Sequence, residues 1–311
     1  MTANAKWLTP VVTAFDERGY IDFEVNARIY DYLIKNGIDG VVIMGSCGEF
    51  FYMNHKEKKS LLEYAIKHIN KRIKVIISSG SMLIDEQIDI INCAHDAGAD
   101  AVMVMSPYYF NLPKDSIYSY YNTIAKSTEA NIYIYNFPDR TGYDVTPEIT
   151  LELVRNNHNI VGYKDSVTQI GHTRAIINTV CDEYPDFEVY SGYDEFFAHN
   201  IMSGGAGAVG GISNFASEIC VEWRDAVNKR DSENVVALQK IIDELMYVYD
   251  IEPYFIPMIK AAMILSGLQL EEYCRFPFTP PLKRSLDKLQ KLIQKQKLVF
   301  ASISNINNPT A

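Results

Sequence analysis

One lysine lies where a lysine could do covalent chemistry. Lys164 ends the apolar run Ile160–Lys164, and because side chains alternate along an extended strand, Gly162 and Lys164 share one face. If that face lines the inside of a closed sheet, burial disfavours the ammonium form and makes a nucleophilic amine available. The alternative is a structural lysine at the rim that pairs with the adjacent Asp165. The strand pattern by itself leaves both interpretations open.

Other predicted strands also end in groups that could assist such a lysine. Tyr135 could relay protons within a polar chain, although an ordinary pKa of about 10 makes tyrosine a weak base alone. Its alternative role is core packing, which explains most of the 21 tyrosines. Ser46 and Cys47 follow Gly45 in a tight turn, where backbone N–H groups and a hydroxyl could hold a carboxylate. No histidine lies near Cys47 in sequence, so we expect a small pocket residue there and no nucleophile.

The elements that must position these residues alternate along the chain. Eight apolar runs are typical of buried parallel strands, namely Thr9–Ala14, Gly40–Met44, Lys74–Ser78, Ala101–Met105, Asn131–Tyr135, Ile160–Lys164, Phe187–Tyr190 and Gly207–Gly211. Amphipathic patterns between them predict helices, namely Phe23–Lys35, Lys56–Asn70, Asp85–Ala97, Lys114–Lys126, Pro147–Asn156 and Ile170–Cys181. Eight similar units favour a closed (β/α)8 TIM barrel over an open parallel sheet. In that fold catalytic residues lie at the C-terminal ends of the strands, as Ser46, Tyr135 and Lys164 do here.

The eight strand–helix units are complete by about residue 229. We therefore predict a barrel domain at 1–229 and a C-terminal helical region at 230–311 that packs on the barrel or forms subunit contacts. Three helical patterns lie in that region, namely Ser232–Tyr249, Pro253–Ser266 and Leu282–Lys297. The polar tail SISNINNPTA is expected to be frayed.

Composition and charge exclude several classes of partner. The 311 residues carry a formal net charge of −10 without a block of lysines or arginines, which argues against nucleic acid and anionic membrane surfaces as partners. The long uncharged stretch Phe196–Ser217 contains five glycines and lacks the apolar density of a membrane span. Five widely spaced cysteines form no CxxC pair, so we expect free thiols in a reducing cytoplasm. The N-terminus is a poor signal peptide.

Motifs for a metal or a nucleotide cofactor are weak. The six histidines form no HxH or HExxH spacing, and no ligand set for a metal is predicted. Gly205–Gly210 satisfies GxGxxG, but the match follows a helical segment and contains a strand, whereas a dinucleotide fingerprint follows a strand and opens a helix. We therefore expect an enzyme with no metal and no cofactor.

Six ordered segments across roughly residues 7–230 resemble the family of dihydrodipicolinate synthase and N-acetylneuraminate lyase. They are GSCGE (45–49), SPYY (106–109), YNFPDRTG (135–142), GYKDS (162–166), SGYDEF (191–196) and GGAGAVGG (204–211). The resemblance implies a class I aldolase or lyase of pyruvate. Lys164 occupies the position of the family's Schiff-base lysine, and Tyr135 matches its proton-shuttling tyrosine. Ser46 matches the hydroxyl residue that links this tyrosine to a second one.

The resemblance also implies a shared site and a set of binding groups. The second tyrosine is Tyr109, which family members often supply from a neighbouring subunit, so we expect a homotetramer built as a dimer of dimers. Backbone groups of Ser46 and Cys47 would bind the pyruvate carboxylate. The carbonyl of Val209 would lie near the lysine, and Gly192 is expected to line the substrate pocket.

The substrate beyond pyruvate is indicated by departures from the synthase pattern. The synthase branch usually has GTTGES, GIKEA and SGDD, whereas this chain has GSCGEF, GYKDS and SGYDEF, which look more like the 2-keto-3-deoxy sugar-acid aldolases. We predict reversible cleavage of such an acid to pyruvate and an aldehyde. Arg140 favours the alternative, a dihydrodipicolinate synthase, where this arginine binds the carboxylate of aspartate semialdehyde; it could instead brace its loop.

Two further alternatives remain open at the level of the sequence. The ketodeoxyglucarate dehydratase branch shares GEFF at 48–51 but fits the tyrosine motif less well. A non-catalytic barrel that only binds a keto acid is the alternative from another class of protein. Intact Lys164, Tyr135 and Ser46 argue against it.

Overall fold

The computed structural model describes the backbone of residues 4–307 and the side chains of residues 4–303. Eight parallel strands follow one another around a closed barrel, so the predicted (β/α)8 TIM barrel is confirmed. The strands are β1 (Lys6–Pro10), β2 (Gly40–Ile43), β3 (Lys74–Ser79), β4 (Ala101–Met105), β5 (Ile132–Asn136), β6 (Ile160–Asp165), β7 (Glu188–Ser191) and β8 (Gly207–Val209). β1 pairs with β8 to close the barrel.

Helices surround the barrel and continue after it. They are α1 (Phe23–Lys35), α2 (His55–Ile69), α3 (Ile84–Ala97), α4 (Lys114–Lys126), α5 (Pro138–Thr141), α6 (Pro147–Asn156), α7 (Ile170–Ile176), α8 (Phe197–Met202), α9 (Ser213–Lys229), α10 (Ser232–Leu245), α11 (Phe255–Leu265) and α12 (Lys283–Asn307). A π-helical turn, Ile177–Cys181, extends α7, and a 3-10 turn, Met246–Tyr249, extends α10. None of the described helices is both long enough and apolar enough to cross a membrane.

The two strands that close the barrel differ from their predicted ranges. β1 ends at Pro10, where we expected a strand at Thr9–Ala14, because the following residues bond to groups outside the strands: the N–H of Val12 donates to the Asn214 side chain and the hydroxyl of Thr13 to the backbone carbonyl of Gly48. β8 ends at Val209 and does not reach Gly211. The N–H groups of Gly211 and Ile212 donate instead to the Asp194 carboxylate.

The C-terminal tail is also more regular than expected. α12 continues through SISNIN to Asn307, where a frayed end was predicted. Residues 308–311 of the predicted tail lie outside the described part of the chain.

The barrel and the C-terminal helices share one hydrophobic core. Trp7 on β1 packs against Phe197 and Trp223, with ring centroids 5.1 and 5.9 Å away. The same buried cluster includes Leu238 on α10 and Leu289 on α12. The C-terminal helices therefore bury apolar surface against the barrel and one another. The division into domains at 1–229 and 230–311 stays a prediction.

Candidate active site

A cavity of about 360 Å³ opens at the C-terminal ends of the strands, where the chemistry of this fold is found. Seven of the eight predicted site residues line it, namely Ser46, Cys47, Tyr135, Arg140, Lys164, Gly192 and Val209. They come from five different strand ends, far apart in the sequence. Closure of the barrel is what brings them together.

Lys164 projects into this cavity from β6 and is only 5% exposed. Its strand register places it beside Tyr135 on β5, and its Nζ lies 4.0 Å from the centroid of that ring. A Cβ at Gly162, two residues before, would clash with the ring of Tyr133, so glycine allows that ring to fill the space below the lysine. Among the residues that the structure describes, no carboxylate forms a salt bridge with Lys164.

The alternative of a rim ion pair between Lys164 and Asp165 is wrong. Asp165 is buried on the other side of the strand, as alternation requires. Its carboxylate accepts hydrogen bonds from Asn136, His172 and Thr173. Lys164 therefore enters the cavity without that carboxylate as a partner.

Tyr135 and Ser46 place two hydroxyls next to the lysine. The Tyr135 hydroxyl lies 3.3 Å from Ser46 Oγ, and the Tyr135 ring stacks on Phe137 at a centroid distance of 6.0 Å. Tyr109 is separate from them: it is 79% exposed, contacts Phe110 edge-on and is not part of the cavity wall. One chain thus brings together the lysine, the first tyrosine and the serine. The role of Tyr109 from a neighbouring subunit stays a prediction.

The turn that carries Ser46 and Cys47 is held by unusual backbone geometry and by the C-terminal region. Met44 and Glu49 both adopt the left-handed conformation, with φ of 59° and 57°. Glu49 is fully buried and accepts hydrogen bonds from Lys260 Nζ on α11, at 2.7 Å, and from the N–H of Arg275, at 2.9 Å. α11 therefore helps to fix a turn in the cavity wall.

Burial keeps Cys47 in its thiol form. It raises the pKa of the Cys47 thiol to about 12, and only a thiolate is an effective nucleophile. The structure thus agrees with a small pocket residue at this position.

Arg140 lies on α5 at the mouth of the cavity. Its guanidinium stacks 5.6 Å from the centroid of the Phe137 ring, and its side chain borders both this cavity and an adjoining apolar one. Within the described residues no carboxylate pairs with Arg140. Its loop is held by other groups: Thr141 Oγ1 donates to the Tyr143 carbonyl and the Tyr143 hydroxyl to that of Pro107. Both predicted roles of Arg140, binding of a substrate carboxylate and bracing of its loop, stay predictions.

Two carboxylates in the cavity wall were not among the predicted site residues. Asp194 is buried and accepts the N–H groups of Gly211 and Ile212 at 3.1 and 3.0 Å, so it shapes the end of β8. Burial raises the pKa of Asp194 to about 6, against the effect of those two bonds. Glu195 follows it, and one of its buried carboxylate oxygens has no hydrogen-bond partner among the described residues. Burial, together with nearby carboxylates, raises the pKa of Glu195 to about 7.

A signal for these residues was present in the sequence. Asp194 and Glu195 lie three and four residues after the end of β7, as Ser46 lies three residues after β2. Their position just after a strand end therefore indicated that both could be site residues. Only Gly192 of this segment was predicted to line the pocket; a Cβ there would clash with Ser166. No group of three or more His, Cys, Asp or Glu side chains that could hold a metal ion occurs within the described part of the chain.

Comparison with known proteins places the chain in a family. The model of the dihydrodipicolinate synthetase family matches residues 3–296. The chain belongs to this family. The resemblance inferred from the strand-end motifs is thereby confirmed, and the match extends over the C-terminal helices as well as the barrel.

Members of the dihydrodipicolinate synthetase family with different activities match over most of the chain. YjhH of Escherichia coli strain K12, a probable 2-dehydro-3-deoxy-D-pentonate aldolase, is 35% identical over 292 residues, 94% of this chain and 97% of YjhH. The 4-hydroxy-tetrahydrodipicolinate synthase of Bacillus subtilis strain 168 is 32% identical over 273 residues, 88% of this chain and 92% of that protein. Both predicted activities therefore occur among its relatives.

A solved structure shows the same fold with a ligand. The crystal structure of YagE, a prophage protein of this family from Escherichia coli K12 in complex with pyruvate, superposes with a TM-score of 0.92 at 31% identity. The match covers 94% of this chain and 99% of YagE.

Proposed function

We propose that the protein is a Schiff-base aldolase that reversibly cleaves a 2-keto-3-deoxy sugar acid to pyruvate and an aldehyde. One observation carries the proposal: a buried lysine, Lys164, enters a cavity beside the hydroxyl pair of Tyr135 and Ser46. A desolvated amine next to a proton relay is the arrangement that iminium chemistry requires. The names of YjhH and the synthase relatives support a lyase of this kind.

The reaction can be followed bond by bond. The Lys164 amine attacks the C2 carbonyl of the keto acid, and loss of water gives an iminium. Removal of the C4 hydroxyl proton, through Tyr135, breaks the C3–C4 bond, releases the aldehyde and leaves the electron pair in an enamine. Protonation at C3 and hydrolysis then release pyruvate and the free lysine. Backbone groups of Ser46 and Cys47 would hold the carboxylate during these steps.

The far end of the cavity suits a hydroxylated chain. Glu195 and Arg140 both line the cavity, and a carboxylate in its wall can accept a hydrogen bond from a substrate hydroxyl. Buried polar groups favour ligands that satisfy them. A second carboxylate on the substrate would be repelled by an ionised Glu195 and attracted by Arg140. The presence of Arg140 in the cavity wall is therefore the observation that supports the synthase as second candidate.

Covalent trapping tests the chemistry. Incubation with pyruvate and borohydride should attach one reduced pyruvate per chain, on the peptide that contains Lys164. Lys164→Ala should abolish the labelling, whereas Lys74→Ala, which removes a lysine at the opposite end of the barrel on β3, should retain it. Labelling that persists in Lys164→Ala would contradict the mechanism. Binding of pyruvate with no turnover of any keto acid would support the non-catalytic alternative.

A substrate comparison tests the specificity. We expect a higher kcat/KM for cleavage of 2-keto-3-deoxygluconate or a ketodeoxypentonate than for condensation of pyruvate with aspartate semialdehyde. Arg140→Ala should affect the two reactions unequally, because its guanidinium suits a carboxylate better than a hydroxyl. If condensation is the more efficient reaction and collapses in Arg140→Ala, the protein is the synthase.

The proposal includes the assembly and the location. Tyr109 and Phe110 are exposed next to each other, and we propose that the pair enters a neighbouring subunit of a homotetramer so that Tyr109 extends the relay of Ser46. The five cysteines are free in the structure, which supports a cytoplasmic enzyme.

A further inference from the structure

A second polar cluster lies behind the cavity, on the outer side of the barrel wall. Asn136 and Asp165 directly follow Tyr135 and Lys164 in sequence. Because side chains alternate along a strand, they point away from the cavity that their neighbours enter. The aldolase mechanism uses no atom of this cluster, yet the cluster is attached to both residues that the mechanism needs.

The amide of Asn136 joins three segments of the chain. Its nitrogen donates to Asp165 on β6, at 2.9 Å, and to Asp144 in the loop before α6, at 3.1 Å. Its oxygen accepts the N–H of Val145 at 3.0 Å. The Tyr163 hydroxyl, also from β6, donates to the Val145 carbonyl at 2.7 Å. The C-terminal end of the loop at residues 137–146 is thus hydrogen-bonded to β5 and β6.

His172 on α7 lies between the two carboxylates of this cluster. Its Nδ1 is 2.9 Å from Asp165 Oδ2, which also accepts the hydroxyl of Thr173 at 2.7 Å. Its Nε2 is buried, has no hydrogen-bond partner in the described part of the chain, and lies 3.9 Å from Asp144 Oδ1. With Nδ1–H donating to Asp165, a neutral imidazole would turn the Nε2 lone pair toward the Asp144 carboxylate. An imidazolium would present N–H groups to both carboxylates.

The charged groups that face His172 favour the imidazolium. Burial alone disfavours that form, but the bond with Asp165 and the charges of Asp144 and of Glu148 on α6 outweigh it. The pKa of His172 is therefore raised above its ordinary value of 6.5. Loss of this proton with rising pH removes the attraction between His172 and Asp144.

We propose that His172 is a positioning residue whose imidazolium ties Asp144, and with it the loop that carries Arg140, to the strand that carries Lys164. The inference rests on the proposed function in one respect, that Arg140 contacts the part of the substrate distal to the keto group. Deprotonation of His172 then weakens binding of the distal part of the substrate. Binding of the pyruvate part, at Lys164, stays unchanged. The pH would act on substrate affinity more than on Schiff-base formation.

Kinetics across pH 6 to 9 test this proposal, with 2-keto-3-deoxygluconate as the probe. In the wild type, KM should rise about 5-fold as His172 deprotonates, equivalent to the net loss of one hydrogen bond, while kcat changes little. In His172→Gln, KM should be high and should lack the rise that His172 causes, whereas any change in KM from ionisation of Glu195 in the cavity wall should stay as in the wild type. In Asp144→Asn, whose side chain is partly exposed, the rise should also be lost, because a neutral amide gains nothing from the imidazolium.

Two further measurements separate the proposal from a structural role and from the proposed function. Thr173→Val removes a bond to the same Asp165 oxygen without reaching Asp144, so it should keep the rise in KM even if it lowers the melting temperature. Trapping of pyruvate by borohydride should be equal in the wild type and in His172→Gln. A rise in KM that persists at wild-type size in both His172→Gln and Asp144→Asn, or that never occurs in the wild type, overturns the proposal. Absence of trapping in the wild type overturns the proposed function instead.

Discussion

Lys164 and Tyr135 face the same cavity from adjacent strands, and in the proposed mechanism the chemistry of each depends on the other. The lysine lies over the face of the tyrosine ring while the tyrosine hydroxyl points to Ser46. The ring can stabilise a cationic nitrogen above it, as an iminium is, and the hydroxyl can exchange a proton with the serine. The proposed mechanism thus assigns two functions to two parts of the Tyr135 side chain.

Removal of the Tyr135 hydroxyl isolates the second function. Tyr135→Phe should lower kcat by about 10²–10⁴-fold, because the ring and its packing remain while the proton relay is lost. The matched control is Tyr133→Phe, two residues earlier on the same face of β5. Its hydroxyl bonds with Lys74 and Glu188 at the other end of the barrel, so its loss should affect stability and leave kcat nearly unchanged. Steady-state kinetics with thermal unfolding compare the two; near-normal turnover in Tyr135→Phe would return Tyr135 to a packing role.

Glu195 makes the stability of the fold depend on pH. Its pKa is raised from 4.5 to about 7 by burial and nearby carboxylates, so between those values the folded protein binds more protons than the unfolded chain. The free energy of unfolding therefore falls as pH rises through that window. Glu195→Gln should reduce this fall and raise the melting temperature at pH 8 more than at pH 5. An equal effect of the substitution at both pH values would show that Glu195 is ionised in the fold throughout.

The elements differ in how far they could be predicted from local sequence. The bounds of α1, α4 and α6 agree with the predicted ones, since amphipathic periodicity and terminal residues are local properties. The ends of β1 and β8 were misplaced because Asn214 and Asp194 determine them. Those side chains are distant in sequence from the strand ends that they determine, and no local pattern predicts their hydrogen bonds. The short helices α5 and α8 carry too few turns for a periodic signal.

The turn at residues 44–49 depends on α11 through a buried ion pair. Lys260→Met leaves the buried Glu49 without its partner and should lower the free energy of unfolding by about 3–5 kcal/mol. Removal of the matched surface lysine, Lys295→Met, breaks an exposed pair with Glu244 on α10 and should cost at most about 1 kcal/mol. Denaturant unfolding measures both. The double variant Glu49→Gln with Lys260→Met should be more stable than Lys260→Met alone, and equal stabilities would contradict an uncompensated charge as the cause.

The whole molecule shows why the site could be predicted in outline and not in full. Repeated strand–helix units predict the barrel, and the barrel places Ser46, Tyr135, Lys164 and Val209 around one mouth whatever their separation in sequence. The burial of Asp194 and the contacts of His172 follow from packing between elements, which one sequence does not reveal. The predicted role of Tyr109 would require a second chain, because a single chain leaves this side chain 79% exposed.

Hybrid subunits test whether two chains share one site. If Tyr109 completes the site of its neighbour, Lys164→Ala and Tyr109→Phe each impair every site of their own dimers. A hybrid dimer of the two variants has one doubly impaired site and one intact site, because the Lys164→Ala subunit supplies the tyrosine that its partner's lysine needs. Co-expression with two different affinity tags allows purification of the hybrid, whose kcat should be about half of the wild-type value for a two-fold symmetric dimer. A hybrid no more active than its parents, or a fully active monomer by light scattering, would show that each chain works with its own residues alone.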